Sequence, residues 1–269
     1  MKQSTRLILL ASAVAIAAMM LISPSHIGAF LNLPGLVVVF GGTLIATFLS
    51  RPTVEVMAVL RSIPALLREE PLPAIKHDID QLLQFASRYR VASVRNAERE
   101  LSRIKNPFVR AGLQQVVDRA PEQELEKTLH WRLSSVLRRE QGRIQIINTM
   151  AIFAPAFGML GTLFGLVNML SGLGESGLQE IGGSMAFAMI TTVYGIIAAN
   201  LLFKPLAIKL ERRTSQRLMQ MKTLMEGILM IYHKRHPAQI RDVLESIQHG
   251  ATNEAEAERQ PNNLTLVGA

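Results

Sequence analysis

Four stretches of the chain are almost purely apolar: residues 7–22, 33–49, 146–170 and 181–203. A helix crossing a bilayer core needs about 20 apolar residues, with 17–25 the usual range. The last two stretches reach that length with no Asp, Glu, Lys, Arg or His, and the first two sit near its lower edge. The pattern predicts an all-α membrane protein with four transmembrane helices. A helical cytoplasmic insert separates spans two and three, and spans three and four run on into the cytoplasm. The expected divisions are a transmembrane hairpin at 1–50, the insert at 51–145, spans three and four at 146–205, C-terminal helices at 206–249 and a disordered tail at 250–269.

Outside the apolar blocks the period changes to that of amphipathic helices. "LPAIKHDIDQLLQFASRYR" places Ile75, Ile79, Leu82, Leu83 and Phe85 near one face. Pro64 interrupts "EVMAVLRSIPALLRE". "NPFVRAGLQQVVD" opens with Asn106 as a cap and Pro107 at the first helical position, a common start signal. "PEQELEKTLHWRLSSVLRREQGR" aligns Leu125, Leu129, Leu133, Val136 and Leu137, and Gly142 is its only weak point before the third apolar block. One long helix is expected there, running from cytoplasm into membrane. The fourth block continues likewise, with Leu210, Leu218, Met221, Leu224, Met225 and Ile228 on a stripe until Pro237, which opens a short last helix. From Gly250 onward the composition is polar and predicts disorder.

Charge sets the orientation. Lys2 and Arg6 precede the first block, Arg51, Arg61 and Arg68 follow the second, Arg138, Arg139 and Arg143 precede the third, and Lys204, Lys209, Arg212 and Arg213 follow the fourth. The connectors "SPSHIGAFLN" and "SGLGESGLQE" hold no Lys or Arg. The positive-inside rule then puts both termini and the insert in the cytoplasm. The net charge of +8 is accounted for by topology and contact with anionic membrane lipids, without nucleic acid. Residues 1–29 also have the charge and core of a signal peptide, although Ile27 stands where a small residue is preferred, and cleavage would leave three spans. The chain has no cysteine, and its six histidines are scattered, so no metal site is expected. No cofactor is expected either, and the absence of a nucleophile–base set or phosphate loop argues against an enzyme.

The last two apolar blocks carry the informative chemistry. Ala154, Gly158, Gly161, Thr162 and Gly165 share one helix face, and Ala188, Thr191, Thr192, Gly195, Ala198 and Ala199 form a similar face on the other. Such faces pack closely on each other, on a neighbouring copy or on an inserted helix, with hydroxyl bonds across helices worth roughly 0.6 kcal/mol. Pro155 removes a backbone donor and frees a carbonyl, which is tolerated only where protein or water satisfies it. Ionisable residues in spans usually mark ion routes. These spans have none, only Thr162, Thr191, Thr192, Tyr194 and Asn200. Hydroxyls guide water or coordinate sodium but do not store a proton. An ion path here therefore requires a carboxylate from another chain.

The stretches "FAPAFGMLGTLFGLVNML" and "AMITTVYGIIAANLLFKPLA" resemble the A subunits of flagellar motor stators, the MotA/PomA family of the MotA/TolQ/ExbB superfamily. The resemblance implies a homo-oligomer, a pentamer, around a dimer of a MotB/PomB-like B subunit whose single span carries the ion-binding aspartate. It implies a transported H+ or Na+, torque on a FliG-like rotor switch-ring protein, and a place in the bacterial inner membrane. Pro155 and Pro205 match the family's coupling prolines. Thr162 and Thr192 match threonines near the ion route, with Thr191 and Tyr194 beside them. "SRYRVASVRNAERELSRIKNPFVRAGL" resembles the rotor-facing segment, which places Arg90 and Glu98 on its charged pair and makes Arg95 and Glu100 nearby candidates. Ile152 stands where family members often carry an acidic residue, a departure shared with the ExbB/TolQ proteins. The alternative function is thus an ion-driven energiser of an envelope process.

Overall fold

The computed structural model describes residues 31–67, 75–89, 94–172 and 177–257, and all secondary structure among them is helical. The expected first span, and with it the question of a cleaved leader, lies outside the described residues. Three described helices are long and apolar enough to cross a membrane: Leu33–Ser50, Glu122–Ser171 and Gln179–Tyr232.

The first of these, α1 (Leu33–Ser50), passes through a π-helical segment at Val37–Gly41. Then come α2 (Thr53–Leu67), α3 (Ile75–Tyr89), α4 (Val94–Leu101), α5 (Pro107–Val117) and α6 (Glu122–Ser171). The fourth apolar block is α7 (Leu178–Ile197), which continues through a second π segment, Ala198–Phe203, into α8 (Lys204–Tyr232). The last helix is α9 (Pro237–Ala257). Two of these helices, α2 and α9, exceed the expectation. α2 runs through Pro64 and forgoes the one bond that its missing N–H would make to the Leu60 carbonyl. α6 runs through Gly142 as the single long helix expected, since one glycine costs only about 1 kcal/mol in a helix interior. α9 runs to Ala257, into the stretch expected to be disordered, because "NEAEA" is made largely of helix formers. Residues 258–269 lie outside the described residues.

The chain folds as two compact units, one of Met1–Ile63 with Gln145–Ala207 and one of Pro64–Ile144 with Ile208–Ala269. In the first, α1 lies against α7. A Cβ on Gly35 would come to 3.2 Å from Thr191 Cγ2, and a Cβ on Gly42 would fall inside the Phe157 ring of α6. The two buried threonines of α1 bond back along their own helix, Thr43 to the Val39 carbonyl at 2.6 Å and Thr47 to the Thr43 carbonyl at 2.7 Å. Their polar groups are thereby satisfied without a partner helix.

The second unit has a conventional apolar core. Leu82, Leu83 and Phe85 of α3, Val109, Leu113 and Val116 of α5, Leu125 and Leu129 of α6, Leu224 and Ile228 of α8, and Ile240 and Leu244 of α9 form one cluster. The stripes read from the helical period supply most of these residues. Asn106 caps α5 by accepting from the Phe108 N–H at 3.0 Å, and its amide donates to Asp78 Oδ2 at 2.8 Å. Two helix ends turn in the left-handed region without glycine, after α5 at Arg119 (φ 56°) and after α8 at Lys234 (φ 54°).

Two opposite shifts in stability follow. Asn106→Ala removes the cap and strands Asp78, and lowers stability by about 1 kcal/mol. Arg119→Gly relieves the left-handed strain and raises it by about 1 kcal/mol. Thermal unfolding of the detergent-solubilised protein reads both signs.

Candidate functional site

Spans three and four meet through bare backbone. Opposite Gly158, a Cβ would lie 2.9 Å from the Thr191 carbonyl oxygen and 3.3 Å from Gly195 Cα. A Cβ on Gly195 would lie 2.7 Å from the Ala154 carbonyl oxygen and 3.1 Å from Pro155 Cα. A Cβ on Gly161 would lie 2.7 Å from the Thr191 side chain, and one on Gly165 would lie 2.7 Å from Ala188 Cβ. Ala154, Gly158, Gly161 and Gly165 are all buried, as are Gly195 and Ala199. Without a hydrophobic effect between helices in lipid, such close approach is what makes dispersion and cross-helix hydrogen bonds effective.

One pair of hydroxyls lies on this seam. Thr162 Oγ1 and Thr192 Oγ1 are 2.5 Å apart, and Thr162 Oγ1 also lies 3.1 Å from the Ala188 carbonyl and 3.2 Å from its own Gly158 carbonyl. A hydroxyl has one proton to donate, so these groups share their hydrogen bonds in alternative arrangements. Both threonines are half-buried, and no Asp, Glu, Lys, Arg or His lies within residues 146–170 or 181–203. The seam can therefore orient water or ligate a bare cation, but it cannot take up a proton for keeps.

The other expected ion-path residues are placed differently. Thr191 is buried and donates to the Ala188 carbonyl at 2.9 Å, while its methyl fills the gap left by Gly35 and Gly161. The Tyr194 hydroxyl accepts from the Asn32 N–H at 2.9 Å. Asn32 in turn caps α1, its side chain accepting from the Gly35 N–H at 2.9 Å. Tyr194 thus satisfies one of the donors that a helix start leaves open. Asn32 was not singled out from sequence, although "NLP" repeats the Asn–Leu/Pro start signal seen at "NPF".

The two prolines sit in unlike surroundings. Pro155 is half-buried against Gly195, and α6 continues through it. Pro205 is exposed at the second position of α8, directly after the π segment Ala198–Phe203. α-helical bonding would require Pro205 to donate to Leu201, and it has no N–H. The widened turn lies where that bond fails. Asn200 compensates on the same stretch, its amide donating to the Ile196 carbonyl at 3.0 Å and its oxygen accepting from Lys204 Nζ at 3.0 Å.

In the insert, Arg90 lies outside the described residues, as does the Arg95 side chain. Glu98 is exposed on α4. Glu100 is committed within the insert, paired with Arg88 and, at 2.9 Å, with Arg103. Its charge is shared between two arginines, whereas that of Glu98 faces outward.

The sequence profile of the MotA/TolQ/ExbB proton channel family matches residues 100–223. Over 223 residues the chain is 31% identical to Motility protein A of Borreliella burgdorferi, covering 83% of this chain and 85% of that one. The chain belongs to the motility protein A family. Further family likeness comes from Motility protein A of Treponema phagedenis, 29% identical over 77% of this chain and 79% of that one. Chemotaxis protein PomA of Vibrio alginolyticus is 33% identical over 143 residues, 53% of this chain and 56% of that one. The fold matches a structure of C. jejuni MotAB with a TM-score of 0.79 at 20% identity, over 92% of this chain and 96% of that one. It also matches the flagellar MotAB stator complex from Bacillus subtilis, with a TM-score of 0.77 at 23% identity, over 88% and 92%. The family is one of channel subunits rather than enzymes.

In this family member the seam makes a clear demand. Gly195→Val drives a branched side chain into the Ala154 carbonyl and separates the spans, so the complex loses function, whereas Gly182→Ala, with open space around it, keeps it. Complementation of a strain lacking the gene, with protein level measured in parallel, separates the two variants.

Proposed function

We propose that the chain is the ion-channel-forming A subunit of a flagellar motor stator, converting H+ or Na+ flux into torque. The observation that carries this reading is the Thr162–Thr192 hydroxyl pair, seated where two spans touch through backbone and where neither span carries an acidic or basic side chain. Such a seam is half of an ion path. The missing carboxylate comes from the single span of a MotB/PomB-like B subunit, two copies of which sit within a ring of five A subunits.

The outward faces of the spans support assembly. Leu160, Leu163, Phe164 and Val167 on α6, and Met189, Val193 and Ile196 on α7, are exposed in the single chain. Faces of this kind meet lipid, a second A subunit or the B helix. The basic residues flanking the spans support an orientation with both termini in the cytoplasm, and the membrane is read as the inner one. Each charge that crosses releases about 2.3 kcal/mol per 100 mV. Loading and unloading of the partner's carboxylate then moves the ring, and the insert, through Arg90 and Glu98 with Arg95 and Glu100 nearby, pushes a FliG-like rotor protein. Pro155 and Pro205 couple the two events, and Tyr194 and Thr191 hold the walls of the path.

The chain reconstituted alone in vesicles is expected to carry no current, and currents are expected to appear when the B subunit is added. Sustained current from the A subunit alone would falsify the reading. Replacing sodium with potassium in the same vesicles assigns the ion, because a sodium path falls silent and a proton path does not. Thr162→Ala lowers the current if its hydroxyl lies on the path. Charge reversal at Arg90 or Glu98 lowers torque several-fold and leaves ion leak within twofold, as measured by tethered-cell rotation and partner-dependent growth arrest.

A further inference from the structure

Glu140 is the single ionisable side chain that is buried among the described residues, with 8% of its side chain exposed. It lies on α6 one turn before the apolar run that begins at Ile144. Its carboxylate is held by Arg143 on the same helix at 3.4 Å and by Arg217 of α8 at 3.6 Å. Between the two ties the contacts of α6 and α8 with the core are apolar: Leu125 and Leu129 on α6 and Leu224 and Ile228 on α8 are buried, with Met221 and Met225 packed beside them. Apolar burial is non-directional, so it fixes the register of two long helices less sharply than a charged pair does. The best attested use of a buried ionic group is to specify register.

A second polar tie marks the far end of the same seam. His233, in the turn directly after α8, places its Nε2 3.0 Å from Glu122 Oε1 of α6, with both side chains nearly half exposed. The ties are 18 residues apart on α6 and 16 apart from Arg217 of α8 to the residue just past its end, which corresponds to about 27 Å and about 24 Å at helical rise. Two antiparallel helices are thus pinned at both ends of one stretch, and only the Glu140 pin is buried. The charge balance excludes a cation way-station at Glu140, because two guanidiniums flank one carboxylate and leave the spot positive.

We propose that Glu140 is a positioning residue for torque: its pairing with Arg217 locks α6 to α8 in register, so that an ion-driven step is delivered as movement of both helices together. This rests on the stator reading, and the test separates the two. The pairing is read first, without reference to function, by thermal unfolding of the detergent-solubilised A–B complex in wild type, Glu140→Gln, Arg217→Gln and the double variant. The expected result is that the double variant loses less than the sum of the singles, and additive losses overturn the pairing. Rotation and partner-dependent ion leak are read next. Glu140→Gln is expected to cut torque more than fivefold while leak stays within twofold of wild type, and the swap Glu140→Arg with Arg217→Glu is expected to restore at least half the torque. Unchanged rotation in Glu140→Gln, a parallel fall in leak, or a swap no better than either single reversal overturns the proposal. If Glu140→Gln fails to accumulate, the swap decides, made together with Arg143→Gln so that the exchanged pair meets no like charge on α6. Thermal coupling in a complex that shows no wild-type current would instead indict the stator reading and leave the pin intact.

Discussion

Everything in the membrane-embedded unit depends on how closely the backbones of spans three and four approach. Lipid offers helices no hydrophobic reason to associate, so the attraction must come from contact itself. Gly158 and Gly195 make that contact possible by presenting no Cβ, and each would collide with a carbonyl oxygen if it did. The same closeness brings Thr162 within 2.5 Å of Thr192. Larger residues at those glycines would leave the two hydroxyls too far apart to interact, and the seam would hold neither water nor ion in place.

A division of labour follows from this packing. A wall built from glycine, alanine and hydroxyls presents oxygen atoms but no fixed negative charge. Tight, switchable binding of a cation needs a carboxylate, and residues 146–170 and 181–203 hold none. The second unit, by contrast, is an ordinary apolar core joined by caps and ion pairs, with its charges placed on helix surfaces. Glu140 stands out in it as a charge enclosed at a helix seam.

Much of this was legible in the residues. The apolar blocks gave the membrane-length helices, the 3.6-residue period gave the core stripes at Leu82, Leu125 and Ile228, and the small residues of α6 and α7 marked the surfaces that touch. What was not legible came from pairings distant in sequence or from geometry with no local signature. Tyr194 reads as a path-lining hydroxyl by type, yet its oxygen is used by the Asn32 N–H, 162 residues away. The π segment at Val37–Gly41 follows no motif, since a widened turn uses the same apolar side chains as an α turn, and the one at Ala198–Phe203 has its only sequence signal in Pro205. Glu100 reads as a free surface acid until Arg88 and Arg103 are seen beside it. Pro64 reads as a break, yet α2 runs through it to Leu67.

The widened turn at Ala198–Phe203 amounts to an extra residue that the fourth span has swallowed without breaking. One residue corresponds to about 100° of rotation in a regular helix. The turn therefore uncouples the azimuth of the lower part, where Phe203, Leu206 and Ala207 are buried, from that of Thr191 and Gly195 above it. Single-residue insertions or deletions are usually ruinous in a packed span, but here one can be absorbed by tightening the turn to α geometry or loosening it again. Relatives that differ in length by one position at this point can keep both contact surfaces, and comparisons that force a gapless match through it will misassign every residue on one side.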